Sequence, residues 1–233
     1  MRQLSKKKDT YVYKIDNNLY INLTNKCQCD CVFCVRAQGN IDGFDLFLTK
    51  PPTVKQVIDL LFDALVLNKN KDNPIKEVVF CGFGEPTFEY KKILKIGQFL
   101  NKVKKEMFDF ENNCDKINEE NCVPSSPFLV RLDTNGLGSK THNLDLAYLL
   151  KNCLDVVSVS LNAPNEMVYN KITKPCEPDA YNSMLKFASD CVKYGLKVTM
   201  TAVDILTKTE IEECKKIAFG LGANFRLRSL VKN

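Results

Sequence analysis

Four cysteines fall within eight positions, Cys27-Gln-Cys-Asp-Cys31-Val-Phe-Cys34, in a chain of 233 residues that holds 11 in all. Three of them, Cys27, Cys31 and Cys34, have the spacing C-x3-C-x2-C, and the aromatic Phe33 directly precedes the last. Thiolates are the soft ligands that iron–sulfur clusters require. Three thiolates on one loop hold three irons of a 4Fe-4S cube and leave the fourth iron open to a small molecule. An open metal position marks a reactive site. Iron chemistry is the first expectation for this stretch.

Cys29 makes the run C-x-C-x-C-x2-C, so a four-cysteine zinc site or a redox-only cluster using Cys29 as fourth ligand is the alternative. Zinc sites usually bring paired knuckles from separated segments, and no second knuckle follows in this chain. A disulfide between neighbouring thiols is disfavoured in a chain with no secretory signal. The start, Met1 to Thr10, is basic and polar without an apolar stretch behind it, so no signal peptide is expected. No apolar run approaches the roughly 20 residues that span a bilayer. A cytoplasmic, reducing setting is therefore expected for the cysteines. Hydrophobic content of 45% and charged content of 26% suit a globular protein, and a net charge of +5 permits an anionic partner without arguing for one. The Lys6-Lys-Lys8 run reads as a solvated tip. A Ser-His-Asp hydrolase would have His142 alone as its base, and the polar stretch Ser139-Lys-Thr-His-Asn143 reads as surface.

The elements that must position the cysteines alternate. Residues 11–24 form the first strand-like run, with a turn at Asp16-Asn-Asn18, and the cysteines follow it. Apolar positions 54, 57, 58, 61, 64 and 65 have helical spacing behind Thr53, a candidate N-cap. A buried-strand run at 75–81 is followed by a helix at 88–107 and a polar stretch at 108–126, read as an inserted loop holding Cys114 and Cys122. Strands are then expected at 128–134, 155–161, 197–203 and 224–230, with helices at 143–152, 179–194 and 208–221 between them. Six strands alternating with helices predict an α/β fold with a parallel sheet and right-handed crossovers. A doubly wound sheet and a partial barrel share this alternation, and periodicity alone does not separate them. No linker divides the chain, which reads as one domain.

In parallel α/β folds the chemistry collects at the C-terminal ends of the strands. The second strand run ends at Cys81-Gly-Phe-Gly-Glu-Pro-Thr87, where Gly82 and Gly84 would let a ligand approach the backbone. The third ends at Asp133-Thr-Asn-Gly136, which a common turn would also explain. The fourth ends at Ser158-Val-Ser160-Leu-Asn162, ahead of Pro164, where an Asx turn is the plainer reading. Thr199, Thr201 and Asp204 on the fifth, and Arg226 and Arg228 on the sixth, are candidates for cofactor or substrate contact, or for ordinary strand and rim positions. Cys81 reads as a small buried side chain.

Taken together, the cysteine motif, Asn18-Leu-Tyr-Ile-Asn-Leu-Thr-Asn25, Phe80-Cys-Gly-Phe-Gly-Glu-Pro86, Asp133-Thr-Asn-Gly-Leu137 and Val157-Ser-Val-Ser-Leu-Asn-Ala-Pro164 resemble the radical SAM superfamily, and within it the TatD-linked radical SAM proteins. The resemblance covers roughly residues 11–230. It implies a partial (β/α)6 TIM-like barrel as a single core domain, about 11–231, with the 108–126 insert departing from the pattern. It implies a 4Fe-4S cluster on Cys27, Cys31 and Cys34, with Cys29 left out, and S-adenosylmethionine (SAM) at the open iron. Gly82, Gly84 and Glu85 correspond to the family's loop that orients the SAM amino group, although Phe83 separates the glycines here. Asn135 would line the SAM side, and Ser160 and Asn162 would meet the ribose hydroxyls. The reaction implied is reductive cleavage of SAM to a 5′-deoxyadenosyl radical that abstracts hydrogen from a substrate the motifs do not name. The partners implied are an electron donor such as flavodoxin or ferredoxin and a functional link to a TatD-type nuclease. The chain ends just after its last strand, so no auxiliary-cluster domain is expected.

Overall fold

A doubly wound sheet carries helices on both faces, whereas a barrel carries them on one. The computed structural model, which describes residues 9–38, 43–67, 74–114 and 128–230, has them on one. Its sheet has seven strands: β1 (Val12–Ile15), β2 (Asn18–Asn22), β3 (Glu77–Cys81), β4 (Leu129–Thr134), β5 (Val156–Ser160), β6 (Lys197–Val203) and β7 (Asn224–Arg228). Their order in the sheet is their order in the chain, without the switch point of a doubly wound fold. β2 to β7 are all parallel. The first run is a hairpin, with β1 antiparallel to β2 across a turn in which Asp16 takes φ 51°, so the sheet is mostly rather than wholly parallel. β1 and β7 are not paired with each other, and the barrel is open.

The helices are α1 (Val54–Phe62), α2 (Tyr90–Cys114), α3 (Gly138–His142), α4 (Leu146–Leu150), α5 (Glu166–Thr173), α6 (Ala180–Lys193) and α7 (Lys208–Gly220). Thr53 caps α1 as its position predicts, in a reciprocal pair with Gln56, and Thr207 and Glu210 do the same for α7. Leu19, Ile21, Val78, Phe80, Val130, Leu132, Val157, Val159, Val198 and Met200 point to the helix side and form one core with α1, α2, α4, α5, α6 and α7. Because successive strand side chains alternate, the register sends Cys81, Asp133, Ser158, Thr199 and Asn224 to the other, inner face. That face is polar. It is the one a barrel turns towards its ligands.

Two expectations change here, and one helix is added. α2 runs on through Cys114, so residues 108–114 are helical; the stretch Phe-Asp-Phe-Glu-Asn-Asn-Cys contains neither glycine nor proline to stop it. The rest of the expected insert, with Cys122, lies outside the described residues. His142 belongs to a helical turn and is half-buried. Its Nε2 lies 2.9 Å from the Thr87 carbonyl oxygen and its ring meets Tyr90 edge-on at 4.8 Å. α5 was not legible in the sequence and is a finding of the structure.

Candidate functional site

The cysteine loop leaves β2 through Leu23-Thr24-Asn25-Lys26 and is held from two sides. On one side Asn22 Nδ2 donates to the Leu46 carbonyl at 2.8 Å, and Asn25 exchanges hydrogen bonds with the Leu48 backbone at 2.8 and 3.0 Å. On the other side the C-terminal end of α5 accepts two loop N–H groups, Asp30 N to Thr173 O at 3.0 Å and Val32 N to Ile172 O at 2.9 Å. Cys29 forms an isolated bridge with Pro175 and packs against the main core. After Cys34 the chain turns through Val35–Gln38, with Ala37 N donating to the Cys34 carbonyl at 3.1 Å.

Gly82 and Gly84 bring the next loop directly against this one. A Cβ on Gly84 would stand 2.2 Å from the Thr24 carbonyl oxygen and 2.7 Å from that of Lys26. The contact is closed by Glu85 N donating to Lys26 O at 2.7 Å. Gly82 has φ +135°, and a Cβ there would stand 2.3 Å from Asn22 Oδ1. Both glycines therefore let the chain approach itself. A ligand-facing role for their backbone is a separate expectation.

Glu85 is 3% exposed. Its Oε1 accepts from Thr87 N at 3.1 Å, Thr87 Oγ1 at 2.7 Å and Thr134 Oγ1 at 2.7 Å, and its Oε2 accepts from Asn135 N at 2.7 Å. Burial pushes its carboxyl above the ordinary range, against the pull of those donors. Asn135 carries the link onward. Its Nδ2 donates to Gln28 Oε1 at 3.0 Å and lies 3.7 Å from Cys29 Sγ and 3.8 Å from Cys27 Sγ. Glu85 and Asn135 thus tie three strand-end loops, those after β2, β3 and β4, into one unit around the cysteines. Gln28, 5% exposed, completes the tie through Thr141 Oγ1 at 3.0 Å. Neither Gln28 nor α5 could be found from the motif, since both sit at positions the cysteine spacing leaves unspecified.

The thiols differ in electrostatics. The Cys29 thiol beside Cys27 holds Cys27 below the usual thiol range, and hydrogen bonding to Cys27 and Cys31 pushes Cys29 up. Burial raises Cys34, while Arg36, which also lies over the Phe47 ring, pulls both Cys27 and Cys34 down. Ser160 and Asn162 lie at the end of β5, Asn162 with φ 60° and its N–H bonded to Thr201 O at 3.0 Å. They follow β5, the strand next to β4, and no side-chain hydrogen bond joins them to the three tied loops among the described residues. Asp204 instead closes the edge of the sheet, accepting from Leu230 N at 2.5 Å.

The donor set suits a cluster. Cys27, Cys31 and Cys34 are soft ligands on one anchored loop, and Cys29, beside Cys27 and Cys31, also packs against the main core. Among the described residues no three His, Cys, Asp or Glu side chains, these cysteines included, already converge on a single ion.

An open, mostly parallel α/β barrel with a cysteine loop after its first parallel strand defines the class of protein. The chain matches the Radical SAM superfamily over residues 21–218, and it belongs to that family. It is 26% identical over 161 residues to "Probable dual-specificity RNA methyltransferase RlmN" of Carboxydothermus hydrogenoformans, covering 69% of this chain and 38% of that protein. Its fold is similar to that of Streptococcus suis SuiB bound to S-adenosylmethionine, with a TM-score of 0.64 and 16% identity, covering 94% of this chain and 41% of SuiB. It is also similar to anSMEcpe with bound AdoMet, with a TM-score of 0.58 and 15% identity, covering 91% and 51%. The chain therefore spans about half or less of these relatives' lengths.

Proposed function

We propose that this chain is a radical SAM enzyme in which Cys27, Cys31 and Cys34 hold a 4Fe-4S cluster and SAM occupies the open iron. The observation that carries the reading is the joining of the cysteine, Gly-Phe-Gly-Glu-Pro and Asp-Thr-Asn-Gly loops by Glu85 and Asn135, within a chain that belongs to the family. When bound, the reduced cluster and SAM supply a 5′-deoxyadenosyl radical that takes hydrogen from substrate. The protein's part is to hold the loop rigid, to present the inner face to SAM and substrate, and to exclude water. Gly82, Gly84, Glu85 and Asn135 stand on the cysteine side of the barrel mouth; Ser160 and Asn162, which stand further round it, are assigned to the ribose. The finer reading is a TatD-linked radical SAM protein, single-domain and cytoplasmic, served by a flavodoxin or ferredoxin and functionally associated with a TatD-type nuclease. The four motifs quoted above support it. No helix is long and apolar enough to cross a membrane.

A second reading rests on Cys29, which stays beside Cys27 and Cys31. As a fourth ligand it would fill the coordination sphere and leave an electron carrier or a zinc-stabilised module. Electron paramagnetic resonance of anaerobically reconstituted, reduced protein separates the two. A 4Fe-4S signal that shifts on adding SAM, with iron content retained in Cys29→Ala, is the expected result. A signal indifferent to SAM, with iron lost in Cys29→Ala, would replace the enzyme by the carrier.

A further inference from the structure

The inner face of the barrel carries charges that differ in whether they are already answered. Arg131 on β4 is 7% exposed and forms ion pairs with Glu77 at 3.1 Å and Asp133 at 3.1 Å. Two carboxylates thus surround one guanidinium, Asp133 through Oδ1 and Glu77 through Oε2, and only its buried Nε is left without a partner. Arg226 and Arg228 on β7 are the contrast. Their register, Thr201 opposite Arg226 and Val203 opposite Arg228, puts both on the same face as Thr199 and Thr201. Phe225, between them and Asn224, packs against the main core on the opposite face. The position of Arg228 has an independent sign: its charge, with that of Arg131, bears on Cys81 of β3 from across the open barrel. Neither Arg226 nor Arg228 pairs with a carboxylate among the described residues. An exposed guanidinium fork that no carboxylate answers matches a carboxylate or phosphate bidentately.

We infer that Arg226 and Arg228 form a substrate subsite for an anionic group, a phosphate or a carboxylate. The inference rests on the radical SAM reading for the word substrate. The anion site itself rests on these two residues. The sheet order favours substrate over SAM as the source of the anion. The tied loops and cysteines that would receive SAM follow β2, β3 and β4, with Ser160 and Asn162, assigned to its ribose, after β5, while the arginines stand beyond them on the last strand of the open sheet. They therefore face the cysteine loop from the opposite wall, where a molecule entering beside SAM would present its far end.

The test titrates the full chain calorimetrically with inorganic pyrophosphate and, separately, with malonate. It compares wild type, R226Q/R228Q, and K95Q/K216Q, which removes the same charge from the outer helices. SAM affinity of reconstituted protein is measured alongside. Saturable binding of one anion is expected, weakened about tenfold or more in R226Q/R228Q, since a hydrogen bond to a charged group contributes about that factor. Binding by K95Q/K216Q and SAM affinity in both variants should match wild type. The stronger of the two anions names the group. Equal weakening in both double variants, or no saturable binding by wild type, overturns the subsite. A parallel fall in SAM affinity in R226Q/R228Q overturns it too, by giving the arginines to the SAM carboxylate. Failure of wild type to bind SAM would instead sink the enzyme reading and leave the anion isotherms to be judged separately.

Discussion

Gly84 shows what single residues contribute to this site. Where a hydrogen stands, a methyl group would meet two backbone oxygens, those of Thr24 at 2.2 Å and Lys26 at 2.7 Å. Backbone oxygens cannot swing aside as a side-chain tip would, so the loops themselves must part. Gly84→Ala is expected to cost about 1–3 kcal/mol, the usual range for overpacking. The strain falls on the entry to the cysteines, so iron content after reconstitution should drop even where circular dichroism shows a native fold. Full iron loading in a folded Gly84→Ala protein would contradict the idea that this glycine serves the loop. Glu85 acts by the opposite means, filling space with acceptors rather than leaving it empty. Its four accepted hydrogen bonds come from Thr87, Thr134 and Asn135, two from backbone and two from hydroxyl groups. A carboxylate this buried is costly unless so answered. Its presence marks the junction where three loops must hold one geometry. Gly-x-Gly-Glu-Pro was legible as a motif in the sequence. That its glycines serve chain packing was not, because the partner atoms belong to residues some 60 positions earlier.

At the scale of elements, α5 is the piece that sequence pattern missed and the site needs. It is eight residues long, too short for periodicity to declare itself, and it follows the Asn162-Ala-Pro164 turn. Its Tyr169 is 1% exposed, lies against Tyr181 with ring centroids 5.4 Å apart, and feels the charge of Cys29 and Cys31. The helix therefore links the main core to the cysteine loop, through this ring and through the carbonyls of Ile172 and Thr173. Tyr169→Ala should cost about 3–5 kcal/mol, as for other buried aromatics. A comparison isolates its special role. Leu100→Ala in α2, a fully buried core site, should cost about 2–5 kcal/mol but leave the loop alone. Iron retention under mild chelation should fall in the Tyr169 variant and hold in the Leu100 variant. Equal retention would reduce α5 to ordinary packing. The strands and longer helices were legible because burial on one face writes a period into the sequence. The one-sided placement of helices was not legible from periodicity, since a strand covered by helices on one face and by substrate-facing polar groups on the other reads much like a doubly covered one; the motifs' resemblance supplied the barrel instead.

For the molecule as a whole, the division between scaffold and site predicts how it responds to losing iron. The main core lies between sheet and helices. A second, smaller group, Tyr13, Leu46 and Phe83 with Tyr20 and Phe44 against it, lies on the inner side of β1 and β2 and holds the stretch around Leu46. Of the cluster-loop cysteines, Cys29 alone is packed against the main core, and the three expected ligands are not. The sheet thus owes little of its burial to whatever the thiols bind. This differs from zinc fingers, whose core is too small to form without metal. Removing iron from reconstituted protein with a chelator under reducing conditions should leave the far-ultraviolet circular dichroism and a cooperative unfolding transition in place. The loss should be local. Amide exchange should quicken over 27–38 and at the loops tied to it, 82–85 and 134–136, because regions with few buried apolar contacts open at low free energy. Strands β3 to β6 should keep their protection. Midpoint stability should fall by what binding linkage contributes, and no more. Global collapse on iron removal would mean that the cluster organises the barrel, and the scaffold would then have to be regarded as a product of the site.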